Sequence, residues 1–265
     1  MPESIRAVER ALDILSCFSP DESTLTLTQI TERAGLHKST AHRLLATLES
    51  RGFIQRDESS GAYRLGIRLI ELGCSALQHT ELSVQATPYL HRLAAESRET
   101  VDLAILQGPD VVYLQVIESP QRVKIAAAPG ERLPAFCTAT GKAFLAFLPK
   151  AQVEEIFKQG VRRYTRRTNL SLTALFNDLQ ITRERGYATS IEEFEDGINA
   201  VAAPILDADR HPLAVIAIVG PAYRLSGERM AKLGRAVKAT ADTIAREMGL
   251  AIPFPAKNHL ERKRT

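Results

Sequence analysis

The residues best placed to do chemistry lie in the run HKSTAHRLLATL, from His37 to Leu48. Apolar residues recur there at helical spacing, so at about 100° per residue the opposite face of the helix is small and polar. Short side chains let a helix approach the major groove of DNA, and Arg or Lys can donate to base edges and phosphates. The pattern predicts a DNA-reading face made of Lys38, Ser39, Thr40, His42, Arg43 and Thr47.

Flanking residues predict the elements that would position this face. Thr26 and Gln29 have the spacing of a capping box at the start of a preceding helix, and Gly35 supplies the turn between the two helices. An extended run beginning at Phe53 turns at residues 58–61 and returns to residue 65 as a hairpin. Arg56 and Arg64 lie near its two strands, where they could contact the sugar-phosphate backbone. The prediction is a winged helix-turn-helix.

Charge leaves alternatives open, because residues 1–80 carry nine Lys and Arg against ten Asp and Glu. An ordinary helical hairpin with a solvated face would show the same apolar spacing, and a protein-interaction module would bind no duplex. If the unit binds DNA, one copy of so weakly basic a surface would bind poorly. We therefore expect a dimer, which doubles the phosphate contacts.

Length and composition bound the rest of the chain. It has 265 residues, 45% of them hydrophobic, so a second domain must follow the helix-turn-helix. The amino terminus is amphipathic and charged, and no apolar run approaches membrane-spanning length, so we expect a cytoplasmic protein without a membrane segment. Three widely separated cysteines and six scattered histidines predict neither a disulfide framework nor a metal site, and no cofactor is expected.

A helical pattern from Gly66 to Thr80 predicts a linker helix, acting either as a plain connector or as a lever and dimer contact, and Pro88 should break or restart helix after it. Beyond Thr100 the pattern predicts an α+β sandwich with a central antiparallel sheet. The expected strands are 101–107, 111–118, 122–128, 187–191, 198–206 and 212–219, the last two joined as a hairpin. The expected helices are 138–148, 172–185 and one from about Ser226, as N-cap, to Met248.

The segment RLPAFCTATGK, from Arg132 to Lys142, is the candidate site for a small molecule. A loop enters a helix there, and the free amides of a first helical turn suit a carboxylate. The hydroxyl groups of Thr138 and Thr140 could add donors. Equally, the segment could be a capped core helix, since Ala143, Phe144 and Phe147 have core spacing.

Four runs in this order resemble the IclR family of bacterial transcriptional regulators: GLHKSTAHRLLATLESRGFI, YRLGIRLIELG, CTATGKAFLA and GYATSIEEFEDGINAVAAPI. The resemblance covers nearly the whole chain. It implies a winged helix-turn-helix at 1–65, a linker helix at 66–80, a GAF-like effector domain at 81–252 and a basic tail at 253–265. It also implies a homodimer or dimer of dimers on a palindromic operator in double-stranded DNA.

The resemblance further implies that a small metabolite, often a carboxylic acid, modulates DNA binding. Together with the helix-start residues, the implied effector-binding set is Leu133, Cys137, Thr138, Ala139, Thr140, Gly141, Ser190, Ile198, Ala200, Ala217 and Val219. Many relatives have an aspartate where this chain has Ser190, so the expected pocket lacks that carboxylate and has few polar anchors. The LPAFCT wording resembles a branch that responds to aromatic acids, so we expect an aromatic or short aliphatic acid.

Other readings of single residues favour structural roles. Cys137 could be a nucleophile or redox sensor beside a helix end, with Glu192 or Glu193 as the nearest candidate partner, but a buried small thiol is the preferred interpretation. We therefore expect no enzyme activity; an enzyme or redox sensor carrying a DNA-binding module is the alternative. The basic run formed by Arg162, Arg163, Arg166 and Arg167 is interpreted as a solvated loop, not a second nucleic-acid site.

Overall fold

The computed structural model describes residues 5–19, 22–78 and 81–250, with the backbone alone for 73–78 and 81. The chain divides into two compact units between residues 80 and 81. Within these described ranges, no helix is long and apolar enough to cross a membrane. The predicted basic tail at 253–265 and the side chains of Cys74 and His79 lie outside the described residues.

The first unit contains four helices and a small three-stranded sheet within its described part. Their bounds are α1 Arg6–Leu15, β1 Thr24–Leu25, α2 Leu27–Ala34, α3 Lys38–Ser50, β2 Ile54–Arg56, β3 Tyr63–Leu65 and α4 Ile67–Gln78. The sheet order is β1-β3-β2, with both pairs antiparallel. The helix-turn-helix, the hairpin and the helix after it were predicted from the sequence; the short strand β1 was not.

Local sequence explains where α2 and α3 begin and end. The Thr26 hydroxyl accepts from the Gln29 amide at 3.3 Å, and the Gln29 side chain accepts from the Thr26 amide at 2.8 Å, which is the predicted capping box. Gly35 ends α2 at φ +62°, a left-handed conformation that favours glycine. The buried core beneath the helices consists of Ile14, Leu25, Ile30, Leu45, Ile54 and Tyr63.

The second unit is a six-stranded antiparallel sheet with helices on both faces. Its elements are α5 Glu81–Ser97, β4 Thr100–Gln107, β5 Asp110–Ile117, β6 Arg132–Pro134, α6 Ala139–Leu145, α7 Lys150–Gly160, α8 Leu172–Arg185, β7 Ala188–Ile191, β8 Ile198–Leu206, β9 Pro212–Pro221 and α9 Gly227–Glu247. The strand order is β6-β5-β4-β9-β8-β7. This is the predicted α+β sandwich.

Side chains alternate between the two faces of this sheet. Val101 and Leu103 of β4 pack with α5 and α9, whereas Ala104 packs with α6, α7 and α8. Each face therefore lies under its own layer of buried apolar side chains. A polar residue in the middle of β4 is consequently buried whichever way it points.

The strand predicted at 122–128 is wrong. Those residues form no strand, and β6 instead runs from Arg132 to Pro134 beside β5. Gly130, at φ +86°, makes the turn that returns the chain, and its amide donates to the Tyr113 carbonyl at 2.8 Å. Since Pro129 precedes this turn and has no amide hydrogen, regular pairing starts only after it.

Three features of the helices differ from what the sequence predicts or were not predicted. Pro88 does not break α5, which continues through it because Ala86, Leu90 and Leu93 are buried on its inner face. The helix α7, with Val153, Ile156 and Phe157 buried, was not predicted at all. Ser226 is the N-cap residue of α9, as predicted by position, but its side chain makes no capping hydrogen bond.

Candidate functional site: a recognition helix and a cavity

The outer face of α3 is open to solvent, as its spacing predicts. Ala41 and Leu45 are buried beneath it. Of the predicted DNA-reading residues in this helix, Thr40 is half-buried, and the exposed ones are Lys38, Ser39, His42, Arg43 and Thr47. The exposed set therefore offers one lysine, one arginine and short polar side chains along a single helix face, in the arrangement that major-groove contacts require.

Hydrogen bonds at the two ends of this helix face determine which polar atoms of its side chains remain available for further bonds. His37 is the N-cap of α3, and its Nδ1 atom lies 2.9 Å from the Ser39 hydroxyl oxygen. The Thr47 hydroxyl donates to the Arg43 carbonyl at 3.0 Å, which leaves its oxygen able to accept. The role of His37 as a cap was not predicted, although its place one residue before the helix is a cap position.

The hairpin presents Arg56 and Arg64 from paired strands, both exposed. The Arg56 guanidinium lies 5.7 Å from the centre of the Tyr63 ring, and Arg64 donates to the Gln55 side chain at 2.9 Å. The turn between the strands is held by the Asp57 carboxylate, which accepts from the amides and hydroxyls of two serines. These hydrogen bonds lower the pKa of Asp57 well below its usual range.

The second unit contains a cavity of about 50 Å³ between the sheet and the start of α6. Ser190, Ala200 and Val219 form one row of directly paired residues across β7, β8 and β9, and they line its wall. Nine of the eleven predicted effector residues line this cavity: Leu133, Thr138, Ala139, Thr140, Ser190, Ile198, Ala200, Ala217 and Val219. Cys137 and Gly141 do not.

The start of α6 is fixed by the residues on either side of it. Thr138 is the N-cap; its hydroxyl accepts from the Gly141 amide at 3.1 Å and donates to the Pro134 carbonyl at 2.8 Å. Gly141 packs directly on the backbone of Ala135, with no space for a side chain. The turn therefore presents Ala139 and Thr140 to the cavity, and Gly141 permits the close packing behind it.

Lys142, only 2% exposed, anchors the same helix. Its Nζ atom lies 2.8 Å from an Asp178 oxygen and 2.6 Å from a Glu193 oxygen, so the buried cation has two carboxylate partners. Burial raises the pKa of Glu193, against the opposing effect of Lys142. These two carboxylates neutralise the charge of Lys142, and the side chain does not line the cavity.

Comparison with known proteins identifies both units. A family model described as the IclR helix-turn-helix domain matches residues 7–58, and one described as the bacterial transcriptional regulator IclR C-terminal domain matches residues 74–246. The chain belongs to the IclR family of bacterial transcriptional regulators. It is a DNA-binding transcriptional regulator with an IclR-type effector-binding domain.

Relatives of this IclR-family regulator match over nearly its whole length. It is 33% identical over 248 residues to a transcriptional repressor of Escherichia coli, covering 92% of this chain and 90% of the relative. The crystal structure of an IclR transcriptional regulator from Alicyclobacillus acidocaldarius superposes with a TM-score of 0.83 at 30% identity, covering 92% and 99% of the two chains. An IclR homologue from Microbacterium hydrocarbonoxydans, crystallised with 4-hydroxybenzoate, gives 0.80 at 27% identity, covering 91% and 99%.

Four cavity residues of this IclR-family chain were not predicted: Asp102, Tyr113, Phe194 and Glu195. Ser190 stands where relatives have an aspartate, but Asp102 and Glu195 line the cavity, so two carboxyl groups from positions outside the predicted set are present. Asp102 pairs with Ala217 across β4 and β9, so it lies one strand beyond the predicted wall residues. An acidic residue between apolar neighbours in VDLAIL was the available signal for it.

Cys137 is unsuited to the nucleophile or redox role considered for it. The residue is fully buried, and its carbonyl accepts from the Ser190 hydroxyl at 3.1 Å. Burial, with a smaller contribution from the charge of Glu193, raises the pKa of the Cys137 thiol to about 12. The reactive thiolate is therefore scarce at neutral pH.

Arginines of the basic run between α7 and α8 contact side chains of the same unit. The Arg162 guanidinium lies 4.6 Å from the centre of the Tyr164 ring, and Arg167 lies 3.2 Å from a Glu192 oxygen. These contacts occupy two of the four arginines with groups of the same domain. The interpretation as a solvated loop is consistent with this placement.

Proposed function

We propose that a small metabolite bound in the cavity of the second unit controls the binding of the first unit to an operator. The observation that carries this proposal is the convergence of nine predicted effector residues on one cavity, in a chain whose other unit is a helix-turn-helix. The domain division that we propose is 1–65 for DNA binding, 66–80 for a linker helix and 81–252 for the GAF-like effector domain.

The ligand that we propose is a small carboxylic acid, either aromatic or short and aliphatic. The amides of Ala139 and Thr140 belong to a first helical turn, where no intrahelical partner is available, and the Thr140 hydroxyl lies beside them. The Microbacterium homologue bound to 4-hydroxybenzoate supports this class. At about 50 Å³ the cavity is far below the roughly 300–1,000 Å³ of drug-sized pockets, so it favours the short aliphatic acids, and an aromatic acid requires the cavity to widen on binding.

For DNA, we propose that the exposed face of α3 enters the major groove and that the hairpin contacts the backbone. Arg43 and Lys38 are the donors that can reach guanine or phosphate, and Ser39, Thr40, His42 and Thr47 supply shorter contacts. Arg56 and Arg64 contact phosphates and fix the register of the helix. As a regulator of transcription, the protein would act in the cytoplasm, where bacterial DNA lies.

We also propose a homodimer, or a dimer of dimers, on a palindromic operator. Residues 1–80 are nearly neutral in charge, so two copies are needed for a useful number of phosphate contacts. The exposed apolar residues of the first unit support self-association: Ile5, Val8 and Leu12 at α1, and Ile67 and Ile70 on α4. Two recognition helices must then lie about 34 Å apart, or a multiple of it.

The mechanism that we propose is a shift between two populations of the dimer. A ligand seated against Ala139 and Thr140 favours one packing of the effector domains, and the linker helix changes the separation of the recognition helices. We propose no enzymatic role; turnover of a bound acid would instead support the alternative of an enzyme carrying a DNA-binding module.

A two-part experiment tests this function. Thermal-shift screening against aromatic and short aliphatic acids should give a hit that Thr140→Val weakens, because a ligand that binds only the folded state raises its stability. Duplexes selected from a random library by the wild-type protein should then lose affinity with Arg43→Ala by about 1–3 kcal/mol, roughly 5- to 150-fold. Operator affinity that stays unchanged at saturating ligand would contradict the control mechanism.

A further inference from the structure

The carboxyl group of Asp102 is buried in the cavity without a partner. It is 1% exposed, and neither of its oxygens has a hydrogen-bond partner among the described residues. Buried polar side chains nearly always have one, because a polar group that is buried without a hydrogen bond loses its bonds to water and gains none in exchange. Asp102 lines the cavity wall, so a ligand there is the partner that its position allows.

The surroundings of Asp102 contain acidic and neutral groups. Tyr113 of the neighbouring strand and Glu195 line the same cavity, and the charge of Glu131, before β6, also acts on Asp102. The described lining includes no Lys, Arg or His. Burial, with Glu131 adding to it, raises the pKa of Asp102 to about 7, so the carboxyl can hold a proton near neutral pH.

A carboxylate ligand in this cavity meets no cation that could neutralise it. Beside an ionised Asp102, which is buried, it would place two negative charges close together, whereas a protonated Asp102 becomes a hydrogen-bond donor. We propose that Asp102 anchors the ligand's carboxylate by donating a hydrogen bond from its protonated form, so that the acid binds together with one proton. This inference rests on the proposed function, since it takes the ligand to be a small carboxylic acid.

The proposal fixes the sign of the pH dependence. A carboxylate that requires protonated Asp102 binds less tightly as the pH rises above 7. A cationic ligand would pair with the ionised form and bind more tightly as the pH rises. A neutral hydroxylated ligand that uses Asp102 as acceptor would also favour the ionised form. The direction in which ligand affinity changes with pH therefore distinguishes the proposed ligand class from the cationic and the neutral ligands.

Isothermal titration of the full-length protein with benzoate, 4-hydroxybenzoate and pyruvate at pH 6, 7 and 8 tests the proposal. For an acid that binds, we expect the wild-type affinity to fall about tenfold between pH 6 and pH 8, with up to one proton taken up per ligand at pH 8. The variant Asp102→Asn keeps a donor of the same size that does not titrate. Its affinity should be the same at all three pH values. Thermal unfolding checks that the variant is folded.

The control Glu195→Gln removes the other carboxyl group of the cavity and keeps Asp102, so the tenfold loss should persist. A wild-type affinity that is independent of pH, or one that rises with pH, overturns the inference while leaving the proposed function intact. A slope that survives in Asp102→Asn overturns it equally. If no acid binds to either protein at pH 6, the proposed ligand class fails, and the inference fails with it.

Discussion

The unpartnered carboxyl of Asp102 makes the ligand-free protein less stable as the pH rises, and Asp102→Asn should remove this effect. In the unfolded chain the carboxyl titrates near 3.8, whereas in the folded protein burial raises its pKa to about 7. Between these values the unfolded state releases a proton that the folded state keeps. The stability is thus fully present below pH 3.8 and is lost progressively up to pH 7.

The size of the effect follows from the shift. A difference of about three pKa units corresponds to about 4 kcal/mol of unfolding free energy. Of this, about 2–3 kcal/mol should be lost between pH 5 and pH 8, where the unfolded carboxyl is already ionised. For a unit of this size such a loss lowers the melting temperature by about 5–10 °C. The asparagine amide is itself buried at a cost, but that cost does not vary with pH.

Calorimetry of the full-length protein between pH 5 and pH 8 is the assay, with wild type and Asp102→Asn compared at each pH. The difference between the two should grow in favour of the variant by about 2–3 kcal/mol across this range. Asp209→Asn, at an exposed position of the β8–β9 hairpin, is the matched control and should follow the wild type. Parallel curves of stability against pH for wild type and Asp102→Asn would refute the reasoning, because the pKa of Asp102 would then be the same in the folded and the unfolded protein.

Three further predictions concern single side chains. Gly35→Ala, at φ +62° with open space around it, should cost the first unit about 1 kcal/mol in urea unfolding. Gly141→Ala, whose Cβ would overlap the Ala135 carbonyl oxygen, should cost the second unit about 3 kcal/mol or more. Equal losses would contradict this. In a Cys17→Ser and Cys74→Ser background, Cys137 of the folded protein should react with iodoacetamide at pH 8 at least 100-fold more slowly than Cys137 of the protein unfolded in urea, because its thiol is buried. Equal rates would show an accessible thiol. Thr26→Ala should destabilise the first unit by about 1 kcal/mol through loss of the capping box, and Thr26→Ser should restore it.

The first unit was predictable because its signals are local. A capping box spans four residues, a left-handed turn needs one glycine, and the face of a 13-residue helix follows from its periodicity. The errors in the second unit arose where tertiary contacts override local preference. Packing of the inner face of α5 keeps Pro88 within a helix. After the turn at Gly130, residues 132–134 pair with β5.

The cavity shows the same limit more sharply. The family resemblance supplied Ser190, Ala200, Ala217 and Val219, which β7, β8 and β9 place side by side. Asp102 comes from β4, about 90 residues earlier in the chain, and only the order β4-β9-β8-β7 brings it to the same wall. Its sequence context does carry a physical signal, because a strand covered on both faces has no exposed side on which to place a carboxylate. A charged residue within such a strand either costs stability or binds something, and the pH dependence of unfolding and of ligand affinity measures these two consequences separately.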